Sequence, residues 1–286
     1  MTDVSLLDWD RVEHLIDLAL AEDVGSGDAT SLAVIGEKVE ASAELICKEP
    51  CVCAGLEVAA AVFNKVDQHL IWSERVSDGD LLKAGAKLAI VKGKARSILT
   101  AERTALNFLQ RLCGVATAAR CYADAVAGTR TVVLDTRKTT PGWRNLEKYA
   151  VAVGGATNHR IGLFDRILIK DNHRALAGLE GPGGITRSVQ RARQKYPRLE
   201  VEVEVESLDE LQEAIEAKAD YVLLDNMTDE LMAEAVRITD ERLKLEASGG
   251  ITLERLPRVA ATGVDFVSVG ALTHSVKAID ISLEIL

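Results

Sequence analysis

The sequence lacks the features of a membrane-spanning or secreted protein. No uninterrupted apolar stretch is long enough to cross a bilayer, and the N-terminus has no basic region followed by an apolar run, which a signal peptide would require. The five cysteines are odd in number and irregularly spaced, and Cys51-Val52-Cys53 has no second pair at metal-ligand spacing. We therefore expect a cytoplasmic protein with reduced thiols.

An excess of positive charge and a nucleotide-binding glycine motif are also missing. The 34 Lys and Arg are outnumbered by 44 Asp and Glu, and the formal net charge of -10 disfavours nucleic acids and membrane surfaces as partners. No Gly-x-Gly-x-x-Gly pattern follows a predicted strand, which weakens the case for a dinucleotide-binding fold. The length and composition are typical of a globular protein. The chain has 286 residues, 48% of them hydrophobic, which allows one large domain or two modest ones.

The pattern of predicted elements changes near Gly114. Helices and short β segments are mixed before it and include a helix at Ile98–Leu112, whereas an alanine-rich helix at Val115–Ala127 follows it. Strands and helices then alternate strictly. The predicted strands are Thr131–Leu134, Arg166–Ile169, Glu200–Val205, Tyr221–Leu224, Lys244–Ala247 and Phe266–Val269. The helices between them include Trp143–Val153, Thr186–Lys195, Leu208–Ala217, Asp229–Ile238 and Leu253–Ala261.

This alternation predicts parallel strands with right-handed crossovers. Polar residues follow nearly every strand, which favours a barrel over an open doubly wound sheet, and the strands fall short of eight. We therefore predict an open, incomplete α/β barrel over residues 114–275. Residues 1–113 form a separate first domain, which the strand-like residues 276–286 are expected to rejoin.

Basic residues collect between Leu134 and His173, against the acidic background of the chain. Arg137 and Lys138 lie just beyond one predicted strand, and Lys170 lies at the end of the next. Cations at the carboxyl ends of parallel strands predict a site for a strongly anionic small molecule. Two other basic residues of the stretch, Arg144 and Lys148, are at helical spacing and are better interpreted as solvated surface. The residues alone also favour a surface position for Arg103, within the helix at Ile98–Leu112.

Carboxylates follow two later strands. Valine and glutamate alternate through Val201–Glu206, so the glutamates share one face of a strand that helices should cover. Glu204 is the glutamate most suited to serve a cation, and Asp225 follows the next strand. Two carboxylates and a phosphate-bearing substrate are a common way to hold Mg²⁺, which we predict as the cofactor.

Glycine-rich turns follow the last two strands. Ser248, Gly249 and Gly250 come after one strand and are expected to open a helix, where backbone N–H groups favour an anion. Gly270 and Ala271 form a second such turn directly after Val269, with His274 nearby. Phosphate sites built from the last two loops recur in barrels.

These residues together closely resemble the quinolinate phosphoribosyltransferase family over nearly the whole chain. The strongest segments are Glu102–Arg111, Asp135–Pro141, Thr157–Arg160, Ile169–His173, Glu202–Val205, Leu224–Asn226 and Ser248–Gly250. Many relatives carry Asn where this chain has Gly250. So many matches in order make the resemblance specific.

The resemblance implies an N-terminal α/β sandwich followed by an open barrel of the type II phosphoribosyltransferase kind. It also implies a homodimer, or a higher even oligomer, in which Arg103 reaches the neighbouring active site, contrary to the surface interpretation. The implied quinolinate pocket consists of Arg137, Arg160 and Lys170 with Thr136, Lys138 and His159. Glu204 and Asp225 are the implied metal and ribose ligands, and Ser248–Gly250 with Val269–Ala271 and His274 the implied phosphate site. Lys138, Glu204 and Asp225 are the implied catalytic residues.

The implied activity is transfer of phosphoribosyl to quinolinate with decarboxylation, a pentosyltransferase step of NAD biosynthesis. Two alternatives stay open. One is a paralogous transferase that acts on another anionic acceptor, and the other is a non-catalytic sensor of phosphorylated ligands. Either Lys138 or His159 would protonate the ring carbon after CO₂ leaves.

Overall fold

The computed structural model describes residues 7–286, which divide into two compact units. One unit comprises the chain up to Arg120 together with Thr139–Gly155 and Ala271–Leu286, and the other comprises Cys121–Lys138 and Ala156–Gly270. Among the described helices, none has the length and apolar content that a membrane span needs.

The strands, in chain order, are β1 Glu40–Cys47, β2 Cys51–Val52, β3 Ile71–Glu74, β4 Leu81–Leu82, β5 Lys87–Lys94, β6 Val132–Leu134, β7 Ile167–Ile169, β8 Val201–Val205, β9 Tyr221–Asp225, β10 Lys244–Ser248, β11 Phe266–Ser268 and β12 Ile281–Ile285. The helices are α1 Trp9–Val24, α2 Ala29–Val34, α3 Leu56–Val66, α4 Ala95–Ala125, α5 Arg144–Val153, α6 Asp171–Leu176, α7 Gly184–Lys195, α8 Leu208–Glu216, α9 Asp229–Thr239, α10 Leu256–Ala261 and α11 Ala271–His274. The strands and helices predicted after Gly114 are all present, with ends shifted by a few residues.

An antiparallel sheet in the order β12-β1-β5-β3 forms the first unit's main sheet. The last strand of the chain returns to it, and Leu45 pairs with Leu283 in β12. Leu45 and Cys47 are fully buried, which gives β1 its apolar face. All five cysteines are free thiols, and Cys121 alone among them is exposed.

The helix α4 corrects the prediction of two helices separated at Gly114. The structure has one helix of 31 residues, and Gly114 lies inside it. A side chain at Gly114 would collide with the backbone carbonyl of Lys277. Glycine is therefore needed there for close backbone packing and does not end the helix.

The helix α5 corrects the surface interpretation of Lys148, which is only 3% exposed. Six consecutive residues of α5, Leu146–Val151, are buried, so helical spacing alone gave the wrong face. The neighbouring Glu147 is also buried and pairs with Arg111 at 2.7 Å. Arg144 is half-buried, and its Nε donates to Thr139 Oγ1 at 3.0 Å.

The second unit contains a parallel sheet of six strands in the order β6-β11-β10-β9-β8-β7. Within residues 7–286, its two edge strands β6 and β7 do not pair with each other, and Thr157 adds a parallel bridge to Leu134. The mixed α/β class and the parallel sheet of the second half are confirmed. Since all six strands run the same way, their carboxyl ends meet at one rim, where barrel sites are built.

Candidate active site

A cavity of about 680 Å³ lies at the carboxyl ends of the parallel strands, entirely within the second unit. Eleven of the predicted site residues line it: Thr136, Arg137, Lys138, His159, Arg160, Lys170, Glu204, Asp225, Ser248, Gly249 and Gly250. The structure thus brings residues from six separate chain segments to one place. Each segment lies near the carboxyl end of a parallel strand or in a loop next to it.

The other predicted site residues do not line this cavity. Val269 is buried behind the end of β11, and Gly270 follows it. Ala271 and His274 belong to the first unit, at the two ends of α11. Arg103 is also in the first unit, on an exposed position of α4.

Sequence reasoning missed seven lining residues: Leu168, Asp171, Glu206, Leu223, Asn226, Glu246 and Ser268. All of them lie within two positions of a predicted site residue in the sequence. Asn226 follows Asp225, for example, and Ser268 ends β11. Glu246 is different, because it lies inside β10, where an apolar residue is usual. An acidic residue within an otherwise buried strand was a signal that could have identified it.

Two guanidinium groups form the cationic part of the cavity. Burial lowers the pKa of Arg160, and the charge of Arg137 lowers it further. The Arg160 Nη1 donates to the backbone carbonyl of Arg166 at 2.9 Å, which fixes the side chain. Two cations held together in this way favour an anionic ligand, since such a ligand would relieve their repulsion.

Lys170 joins the cationic and carboxylate parts of the site. Its Nζ lies 2.6 Å from the carboxylate of Glu204, across the neighbouring ends of β7 and β8. Lys170 is also the N-cap residue that directly precedes α6, and its backbone N–H donates to His173 Nδ1 at 2.9 Å. A change at Glu204 therefore acts on Lys170 directly.

Asp225 lies at the end of β9, and its carboxylate accepts a hydrogen bond from the side chain of Asn226 at 2.8 Å. Asn226 has a positive φ of 53°, a conformation that Asn tolerates better than most residues. This turn presents Asp225 to the cavity that Glu204 also lines. Two carboxylates with amide oxygens nearby are hard oxygen donors, and such donors fit Mg²⁺.

The side chain of His159 is only 8% exposed. It lies beside Arg160, on the side of the barrel interior. Its Nε2 is 3.2 Å from Glu246 and 3.4 Å from Glu202. Burial lowers the pKa of His159, but the two carboxylates more than offset this and raise it. The backbone N–H of Arg160 lies 2.7 Å from its Nδ1, so Nε2 is the ring nitrogen that faces the carboxylates.

The glycine turn after β10 differs from the expectation that it opens a helix. The helix α10 begins only at Leu256, after a turn in which Thr252 accepts the backbone N–H of Arg255. Any anion bound at Gly249 and Gly250 would therefore rely on the loop itself. Both glycines have positive φ, 92° and 60°.

Comparison with known proteins shows the relationship of the chain. Residues 28–113 match the model of the quinolinate phosphoribosyl transferase N-terminal domain, and residues 115–284 match that of its C-terminal domain. The chain belongs to the quinolinate phosphoribosyltransferase family.

Individual relatives agree with this membership. The chain is 41% identical to a Bacillus subtilis protein named probable nicotinate-nucleotide pyrophosphorylase (carboxylating), over 96% of this chain and 93% of that one. It is also 43% identical to the nicotinate-nucleotide pyrophosphorylase structure of Francisella tularensis, with a TM-score of 0.92 and 98% of each chain covered. The Streptococcus pyogenes NadC structure is 40% identical, with a TM-score of 0.93 over the full length of both.

Substitutions at Gly249 and Gly250 can test the roles of the two glycines separately. A methyl group at Gly249 would collide with the Asn226 side chain, whereas the nearest atom to one at Gly250 is 4.0 Å away. We expect Gly249→Ala to displace Asn226 beside Asp225 and lower kcat/KM about 100-fold, the scale of an error in positioning of about 1 Å. Gly250→Asn should change kcat/KM less than about 3-fold, because Asn tolerates a φ near +60°.

Steady-state rates of both variants, with melting temperatures as a control for folding, provide the measurement. Equal losses in the two variants would contradict the assignment of different roles to the two glycines.

Proposed function

We propose that the protein transfers the phosphoribosyl group of phosphoribosyl pyrophosphate to quinolinate and releases pyrophosphate and CO₂. The product is nicotinate mononucleotide. The observation that carries this proposal is the cavity itself, in which guanidinium and ammonium groups lie beside two carboxylates at one rim of the barrel. Quinolinate has two adjacent carboxylates, and a pocket for it needs more cations than a pocket for a single carboxylate.

Arg137, Arg160 and Lys170 bind the two carboxylates of quinolinate, with Thr136 and Lys138 beside them. Arginine is suited to this because its planar fork matches a carboxylate with two parallel hydrogen bonds. Held in this way, the pyridine nitrogen attacks C1 of the ribose as the bond to pyrophosphate breaks. Orientation of the two reactants is the main contribution of these side chains.

Glu204 and Asp225, which line the cavity together, would hold the Mg²⁺ and the ribose hydroxyls. When bound, Mg²⁺ neutralises charge on the departing pyrophosphate. The carboxylates also favour the cationic, oxocarbenium-like character that develops at C1. The backbone N–H groups of Ser248, Gly249 and Gly250 face the phosphate, since glycine leaves no side chain between an anion and the backbone.

Ribosylation converts the ring to a pyridinium, which accepts the electron pair left when the 2-carboxylate departs as CO₂. A proton from Lys138 or His159 then takes the place of CO₂ on the ring carbon. Because the substrate is its own electron sink, the chain needs no cofactor for the decarboxylation.

Incubation of the purified protein with quinolinate and phosphoribosyl pyrophosphate, with and without Mg²⁺, tests the proposal. Pyrophosphate and CO₂ should form in equal amounts, and only when Mg²⁺ is present. Turnover with a different anionic acceptor but not with quinolinate would favour the paralogous transferase. Ligand binding without any turnover would favour a sensor.

We further propose that the protein is a homodimer in which Arg103 completes the partner's active site. Support comes from the family membership and from the exposure of Arg103 on α4, whose Leu106, Leu109 and Leu112 are buried. An exposed arginine with only a local role should tolerate alanine. We expect Arg103→Ala instead to abolish most activity, while Lys94→Ala, at another exposed basic position, should not.

Subunit exchange tests this arrangement. Mixing inactive Arg103→Ala with inactive Lys170→Ala forms mixed dimers that have one site with both defects and one with neither. Partial recovery of activity is expected. If exchange is verified by native mass spectrometry and activity stays absent, Arg103 does not act across an interface.

A further inference from the structure

Three ionisable side chains lie together beneath the cationic part of the cavity. His159, Glu202 and Glu246 are 8%, 0% and 1% exposed, and one ligand atom from each lies within 4.8 Å of the others. Glu202 and Glu246 are on β8 and β10, at positions where a barrel interior normally holds branched apolar residues.

The ring of His159 is held on both sides. Its Nε2 lies 3.2 Å from Glu246 and 3.4 Å from Glu202, and its Nδ1 accepts the backbone N–H of Arg160 at 2.7 Å. The backbone N–H of His159 donates to the fully buried Asp135 at 2.7 Å. Asp135 directly precedes Thr136–Lys138, so this network connects the two segments that supply the cations.

Keeping two carboxylates in this interior is costly for the fold. Glu202 and Glu246 are 0% and 1% exposed, and burying a carboxylate away from water costs free energy unless it is fully paired. The oxygens of both carboxylates approach His159 at ion-pair distance without forming a hydrogen bond of good geometry among the described residues. Such groups are often replaceable by apolar residues without loss of stability, so fold stability does not account for them.

The cluster has an electrostatic effect on the pocket above it. The charge of Arg137 opposes the charged form of Arg160, whereas the charge of Glu202 favours it. Negative charge under the two guanidinium groups therefore allows them to lie side by side before an anionic substrate arrives. The cluster also affects the position of Arg160, because the ring of His159 contacts the Arg160 backbone.

We propose that Glu246, with Glu202, is a positioning residue that holds His159 and through it places Arg160 for the dicarboxylate substrate. The inference rests on the proposed function for the identity of that substrate. It assigns His159 to the support of the pocket, since both ring nitrogens face protein groups.

A double-mutant cycle tests it, because residues that act through one another are not additive. Glu246→Gln, His159→Gln and the double variant are compared with the wild type for kcat and for KM of each substrate. Glu246→Gln should raise the KM for quinolinate about 10-fold to 100-fold, the scale of a small misplacement of a binding group. The KM for phosphoribosyl pyrophosphate should change less than about 3-fold, and the double variant should be no worse than His159→Gln alone.

The matched control is Glu216→Gln, the same chemical change at an exposed residue at the end of α8. It should leave both KM values unchanged, and melting temperatures establish that the variants are folded. Additive losses, or equal rises in both KM values, would overturn the proposal. So would a stoichiometric metal ion in the purified protein that Glu246→Gln removes, because the cluster would then be a metal site.

Wild-type turnover is measured first and separates this inference from the proposed function. No transfer to quinolinate would refute the function. Normal transfer with an additive cycle would refute only the positioning role.

Discussion

Nicotinate should be used at least about 100-fold less efficiently than quinolinate, although both would yield the same mononucleotide. Nicotinate lacks the 2-carboxylate, so it cannot accept the hydrogen bonds that this group would receive from cations among Arg137, Arg160 and Lys170. Each lost hydrogen bond to a charged group costs roughly 1.5–3 kcal/mol. Two such losses amount to about 3–6 kcal/mol, or roughly 100-fold to 10,000-fold in kcat/KM.

The measurement is kcat/KM for each acid at a saturating concentration of phosphoribosyl pyrophosphate. Arg160→Gln should reduce the preference for quinolinate, because it removes one of the cations that distinguish the two acids. Arg191→Gln, at an exposed position of α7, serves as the control and should keep the preference. Equal efficiency with nicotinate and quinolinate in the wild type would refute the assignment of this pocket.

Asp225→Asn should lower turnover about 100-fold to 1,000-fold, the usual range for loss of one preorganised electrostatic group. Its affinity for quinolinate should stay within about 3-fold of the wild type. The structure supports this separation, because the Asp225 carboxylate accepts its hydrogen bond from the side chain of Asn226. Calorimetric titration with quinolinate alone, beside steady-state rates over a range of Mg²⁺ concentrations, measures both quantities.

Glu204→Gln should behave differently, since it removes the partner that Lys170 contacts at 2.6 Å. Both turnover and quinolinate affinity should change in this variant. Asp209→Asn, on the exposed first turn of α8, is the control and should change neither. A large loss of quinolinate affinity in Asp225→Asn would show that its carboxylate belongs to the acid pocket.

The sequence by itself determined the order of elements and most of the cavity lining. Alternating strands and helices are visible because hydrophobic periodicity is local, and the rule that sites lie at strand ends then selects residues such as Lys170, Glu204 and Asp225. The resemblance to the family added Arg160 and His159, which no strand end in the pattern marks. The same local pattern wrongly predicted two helices where the chain has the single helix α4. A glycine in the sequence is equally consistent with the end of a helix and with close backbone packing inside one.

The tertiary structure decided which side chains touch. Lys170 meets Glu204, and His159 meets Glu202 and Glu246, only because β7, β8 and β10 direct their side chains to one interior. The burial of Lys148 was likewise set by what packs around α5. Periodicity within a segment reports the faces of that segment, but contacts between segments depend on sheet order and register, which carry no local signal. The contacts of His159 with Glu202 and Glu246 therefore could not be predicted from the sequence, because they depend on the order of the strands in the sheet.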